Sequence, residues 1–344
     1  MKVFNNPTNN LKLIHLLVYI IVGVLVISKG AIYLPDSYTF VDMAFNHSPF
    51  YCIFLKIITG VFGDYFEIPL VVIQYTIIIL GISYFLKTLD GIFKIHKTGL
   101  IVIQLICIAP CVYVHDLGSA ILTEALTYPM VLITFSLTLK TLVEENFKYL
   151  FRLSILLFVL ILTRGQFLAF LPVLILIVAY IIYRNKSIKK HYYFLVLLCV
   201  IPILTSFSER VYNKIVFGHF VNNSMNYVHL AASPFYIAQE EDVNLFSDKD
   251  ERAYFNIVYN SLKVAKLTRN QNLDLKIGDY KFYEHNFPKI CNRRVYDLGL
   301  NYFESDNLNF VERNIALNKM CSNMVIPLVK QNFKVWLYLF VKNL

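Results

Sequence analysis

From Leu153 to Tyr183 the chain carries one charged residue, Arg164, in an otherwise apolar run. As a single helix rising about 1.5 Å per residue, that run would extend roughly 46 Å. The hydrocarbon of a bilayer is only about 30 Å thick, so one crossing cannot absorb it. Gly165, in the break Thr163-Arg164-Gly165-Gln166, offers a place to turn. Two short spans joined by a tight hairpin are therefore expected, at Leu150–Thr163 and Gln166–Tyr183.

Similar runs predict five more spans, at Leu13–Tyr33, Glu67–Leu86, Gly99–Val114, Ile121–Leu142 and Tyr193–Phe207. The first lacks a small-x-small cleavage site and reads as an uncleaved anchor. Composition agrees with a membrane chain: 57% of residues are apolar and 16% charged, against about 45–50% and 25% in soluble domains. The net charge of +9 could suggest nucleic acid. With a single Trp and no basic–aromatic stripe, the lysines read instead as topogenic, and no nucleic-acid partner is expected.

One set of loops holds Lys2, Lys12, Lys87, Lys94, Lys97, Lys140, Lys148, Arg152, Arg184, Lys186, Lys189 and Lys190. Up to residue 208 the alternating set holds only Lys29, Lys56 and Arg164. By the positive-inside rule the N-terminus is cytoplasmic, and the loop from Leu34, the Val114–Ser119 turn and the Arg164 turn lie outside. The expected fold is an all-α, polytopic membrane protein of about seven transmembrane helices, in a bacterial inner or plasma membrane. It divides into a transmembrane domain (1–208) with a catalytic outer loop (34–66), a mostly helical extracytoplasmic region (209–330), and a terminal segment (331–344). That last segment is an interfacial helix or the start of an eighth span in a chain cut short. Cys52–Gly63, short and carrying Lys56, predicts another interfacial helix.

In the C-terminal region two helices are predicted. Ser247–Leu267 would be capped by Ser247, with Tyr254, Ile257, Val258 and Leu262 on its apolar face; Leu308–Ile326 would have Pro327 just past its end. Cys107 and Cys111 read as packing residues, whereas Cys291 and Cys321 could pair if exported.

The orientation collects Asp36, Asp42, His115, Asp116, Glu124 and Arg164 on the outer side. Asp36, just past Pro35, is either a general base for an incoming hydroxyl or the N-cap of a short helix from Ser37 to Phe45. Glu124 could pair with Arg164, hold a metal or cap its helix. His115 and Asp116 read as a cap or salt bridge. With Asp36 they could also hold a divalent cation, although their spacing fits no ligand rule. Arg164 suits bidentate capture of phosphate or pyrophosphate, the alternative being a snorkelling interface arginine. Arg210 could join it. No glycine-rich phosphate loop, Gly-x-Ser-x-Gly or His-Glu-x-x-His occurs. A cytoplasmic nucleotide-sugar domain is also missing, so any sugar donor must arrive outside, already attached to lipid.

Over about residues 10–210 the chain resembles the GT-C superfamily of polytopic membrane glycosyltransferases. The resemblance rests on Asp36-Ser37-Tyr38, Ser48-Pro49-Phe50-Tyr51, the segment Thr123-Glu124-Ala125-Leu126-Thr127-Tyr128-Pro129, and Thr163-Arg164-Gly165. It differs from many members in that the next acidic residue after Asp36 is Asp42, and in having fewer spans. The resemblance implies that Asp36 is the catalytic base or a metal ligand. It also implies that arginine meets the phosphate of a polyprenyl-phosphate-linked sugar donor. Tyr38, Asp116, Glu124 and Arg210 would complete the substrate site, and a glycan, lipid or protein would accept the sugar. The other readings are a polysaccharide polymerase or ligase acting on lipid-diphosphate glycans, a lipid-linked glycan flippase or transporter, and an interaction scaffold.

Overall fold

The computed structural model describes residues 7–113, 116–144, 148–184, 188–222, 225–272 and 279–341. Among them the chain is all-helical, with a single isolated bridge between Ile32 and Ala120. Five helices are long and apolar enough to cross a membrane, or six if one bent pair forms a single span. The chain divides into two compact units, Met1–Ile215 and Val216–Leu344.

In the first unit, α1 (Pro7–Lys29) presents Leu16, Ile20, Ile21 and Val24 outward, each more than half exposed. Such an outward apolar face suits lipid rather than water. The short α2 (Ser37–Val41) leads to α3 (Pro49–Phe62), which starts with proline at its first position. One face of α3 buries Tyr51, Cys52, Leu55 and Ile58, while Ile53, Ile57 and Val61 lie exposed on the other. Then come α4 (Glu67–Phe93), α5 (Lys97–Ile108), the single turn α6 (Pro110–Tyr113) and α7 (Glu124–Glu144). The first-unit series ends with α8 (Lys148–Thr163), α9 (Phe170–Arg184) and α10 (Ile188–Phe217).

Helices occupy all seven stretches expected to span, with different ends. α8 has 16 residues, and α5 with α6 forms a shorter apolar helix, Lys97–Tyr113, than the five. α10 runs on to Phe217 instead of stopping at Phe207, which carries Glu209 and Arg210 into the helix. Three apolar clusters hold the unit: Val26, Ile78 and Cys111 in one, Tyr51, Ile121 and Leu126 in a second, and Leu157, Leu174 and Leu198 in a third. α4 and α7 approach closely at Gly81. There a Cβ would stand 2.6 Å from Pro129 Cβ and 2.9 Å from its Cα, so only glycine fits, as is common where membrane helices touch.

The second unit is built on α11 (Asn226–Ile237), whose Val228, Ala231, Ala232, Phe235 and Tyr236 are fully buried. Around it pack α12 (Lys249–Val264), α13 (Asp279–Ile290), a π-helical turn (Cys291–Tyr296) and α14 (Asp297–Tyr302). α15 (Phe310–Gln331) and α16 (Phe333–Val341), which meet at an angle of 89°, complete it. Three local expectations are corrected. Asp248, not Ser247, caps α12, because its carboxylate accepts from the N–H groups of Asp250 at 2.7 Å and Glu251 at 3.2 Å. Ile257 is exposed, and Phe255 and Tyr259 are buried beside Tyr254, Val258 and Leu262. Pro327 lies inside α15, which begins at an Asn309–Glu312 capping box and runs past it with Met324 and Leu328 buried. Cys291 and Cys321 are buried free thiols in this core. The terminal helix α16 folds onto the same core through Leu339, and Trp336 Nε1 donates to Ser233 Oγ at 3.2 Å.

Candidate functional site

The loop after α1 is fastened to the segment before α7. α1 ends at Gly30, whose φ of +68° turns the chain into a conformation that side chains resist. Ile32 N–H then donates to Ser119 O at 2.9 Å, and Ile121 N–H returns to Ile32 O at 3.1 Å. Ser119 Oγ donates to Val26 O at 3.0 Å, tying the same segment back to α1. Ser37 accepts from Leu34 N–H at 2.8 Å and donates to Ile121 O at 2.9 Å, so this buried hydroxyl fixes the start of α2. From the other side Gln74 Nε2 donates to Ala120 O at 3.2 Å, while its Oε1 accepts from Tyr51 O–H at 2.9 Å. Residues 119–121 are thus held from three directions, and they lead directly into Thr123 and Glu124.

On this frame Asp36 occupies the N-cap position of α2 without capping it. Its backbone is helical (φ −85°, ψ −10°) and its side chain makes no cap hydrogen bond. The carboxylate is exposed. Thr39 Oγ1 donates to the Asp36 carbonyl at 2.7 Å and lies 2.6 Å from His47 Nε2. Burial holds the His47 imidazole below its ordinary pKa, and the charge of Asp36 partly opposes this. Tyr38, also exposed, stacks on Tyr33 with ring centroids 4.9 Å apart. Tyr33 O–H donates to Glu67 Oε1 at 2.9 Å. Burial first, and then this bond to a carboxylate, push the Tyr33 phenol up to about 12. Asp42 lies past the end of α2, exposed.

Glu124, the first residue of α7, forms an ion pair with Arg164, both side chains being about two-fifths exposed. Thr123 Oγ1 donates to the other carboxylate oxygen of Glu124 at 3.0 Å. Arg164 sits in extended conformation between α8 and the short turn Gly165–Ala169. The reversal needs no glycine: Gly165 has no positive φ, and a Cβ there would meet open space. Asp116, with φ of +48°, is paired with Lys29 at the end of α1. Arg210 is an exposed residue inside α10. His115 lies outside the described residues.

Four of these charges form two ion pairs, Lys29–Asp116 and Arg164–Glu124, and the Asp36 side chain makes no cap hydrogen bond to α2. Among the described residues, no three of His, Cys, Asp and Glu are grouped closely enough to hold a metal ion. Tyr33, His47, Thr39 and Glu67 were not foreseen as neighbours of Asp36 and Tyr38. The only hint was that Glu67 opens one of the expected spans. Asp36 can accept a proton from a solvent-borne hydroxyl. Arg164 keeps N–H groups beyond the one spent on Glu124, since a guanidinium carries five. No family model matches the chain, and neither does any curated protein or solved structure.

Proposed function

We propose that this chain is a multi-pass membrane glycosyltransferase of the GT-C type. It moves a sugar from a polyprenyl-phosphate-linked donor to a glycan, lipid or protein acceptor on the non-cytoplasmic face. The observation that carries this reading is the exposed Asp36 carboxylate, which does not cap its helix, in the same unit as a guanidinium fixed by Glu124. In the reaction Asp36 takes the proton of the acceptor hydroxyl as its oxygen bonds to the anomeric carbon. The bond from that carbon to the phosphate oxygen breaks, and its electron pair leaves with the lipid phosphate. Arg164 meets the charge that grows there through its remaining N–H groups, and Glu124 is the positioning residue that holds it. Tyr38 offers an exposed ring for stacking against a sugar. Asp116, paired with Lys29, braces the rim, and Arg210 is a second cation for the lipid phosphate. The topology that goes with this reading has a cytoplasmic N-terminus and the second unit outside.

Native mass spectrometry of the full chain, wild type beside Arg164→Ala and Asp36→Asn, tests it. A co-purifying polyprenyl phosphate or its glycosylated form is expected on wild type and Asp36→Asn, and absent from Arg164→Ala. With that donor in hand, Asp36→Asn should lose at least about a hundredfold in rate, as removal of a general base does. Bulk phospholipid alone on all three proteins would overturn the donor site. An unchanged rate for Asp36→Asn would remove it from the chemistry.

A further inference from the structure

The second unit contains an open cavity of about 610 Å³ whose lining, among the described residues, includes four cations and no carboxylate. Lys266 comes from the end of α12, Lys289 from α13, and Arg293 and Arg294 from the π-helical turn. Phe282, Leu267 and Pro288 supply an apolar wall. A second groove that shares Phe282 and Asn286 is lined by an acid, Glu284.

Ordinary causes account for part of this charge. Lys266 follows the carboxyl end of α12, where a helix favours cations, and Lys289 Nζ donates to Asn286 Oδ1 at 3.3 Å. They do not account for the arginines. Arg294 Nε is shut off from solvent with no hydrogen-bond partner among the described residues. A buried donor of a charged group is costly to leave unpaired. Arg293 is exposed directly beside it, and no ion pair among the described residues neutralises either one. Arg293 and Arg294 lie in a π-helical turn, a rare geometry frequent at functional sites, and both line this cavity.

We infer that this cavity binds a phosphate-bearing ligand, its Arg293 and Arg294 gripping the phosphate and Phe282 covering the less polar part of the molecule. Guanidinium groups match phosphate oxygens in pairs. The inference goes beyond the proposed transfer reaction and involves none of its residues. The phosphate can come from a soluble molecule or from a phospholipid headgroup.

The test uses the full chain in nanodiscs, in an Arg164→Ala/Arg210→Ala background that removes both phosphate-binding cations proposed for the first unit. Inorganic pyrophosphate is titrated calorimetrically, and native mass spectrometry counts phosphatidylglycerol retained on release from nanodiscs containing it. The variants are Arg293→Gln, Arg294→Gln, Lys266→Gln and the Arg293→Lys/Arg294→Lys pair. The fluorescence of the single Trp336, in this unit's core, verifies folding. Saturable pyrophosphate binding that weakens at least tenfold in Arg293→Gln supports a soluble ligand. Retained phosphatidylglycerol that is lost in Arg293→Gln, without pyrophosphate binding, supports the headgroup. Because Arg293 is exposed, its variant stays informative even if Arg294→Gln fails to fold. No binding of either probe, or binding equal in every variant, would overturn the site.

Discussion

The Tyr51–Gln74 pair allows the frame beneath the candidate site to be measured. Both side chains are fully buried, and Tyr51 O–H donates to Gln74 Oε1 at 2.9 Å. In Gln74→Leu that proton loses its acceptor. Ala120 O loses the Gln74 amide too, but still accepts from Leu122 N–H at 3.0 Å, so it adds little. In Tyr51→Phe the orphan is Gln74 Oε1 instead. Each single variant then carries one unpaired buried group, costing about 2 kcal/mol within the usual range of 1–3. For a unit of this size that is a drop of roughly 4–8 °C in midpoint. The double variant leaves no orphan, since apolar groups replace both partners, and should cost only about 1 kcal/mol. Thermal unfolding followed with a thiol-reactive dye is a suitable assay, because Cys52 and Cys111 are buried in this unit; the exposed Cys199 is first replaced by serine. The expected result is a double variant more stable than either single one. Simple addition of the two losses would show that Tyr51 and Gln74 are not coupled through this hydrogen bond.

Two further outcomes follow from geometry. Gly81→Ala drives a Cβ into Pro129 and should destabilise the first unit by about 1–3 kcal/mol in the same dye assay; an unchanged midpoint would mean that α4 and α7 do not meet as described. His47, held below its ordinary pKa by burial, stays neutral in the folded chain, so its contribution is intact above about pH 6.5 and is lost as pH falls toward its folded value. Midpoints at pH 8, 6.5 and 5 should fall more steeply for wild type than for His47→Gln, and more steeply still for Asp36→Asn, which removes the opposing charge; parallel curves would refute this.

The helices were legible because lipid demands long apolar runs, and nothing else in the sequence produces them. Their ends were less legible, since local signals compete. Ser247 and Asp248 both suit an N-cap, and backbone geometry chose the latter. Pro327 reads as a stop, yet α15 continues through it with Leu328 buried in the core on the far side. Glu124 with Arg164 was foreseeable because isolated opposite charges in an apolar setting seek each other. The pairing of Tyr33 with Glu67, and the enclosure of His47 near Asp36, depend on contacts between distant segments that carry no periodic signal. Arg293 and Arg294 were passed over because nothing in the sequence marks the cavity that they line.

The fastening of the loop after α1 to residues 119–121 also sets a timetable for synthesis. Ser119 reaches back 93 residues to Val26, and Ser37 reaches forward 84 to Ile121. At about 5–20 residues per second, roughly 5–20 s pass between the emergence of one half of this clasp and the other. Until then the clasp around Asp36 and its neighbours is open, so a segment among the first made is secured only when about a third of the chain has emerged.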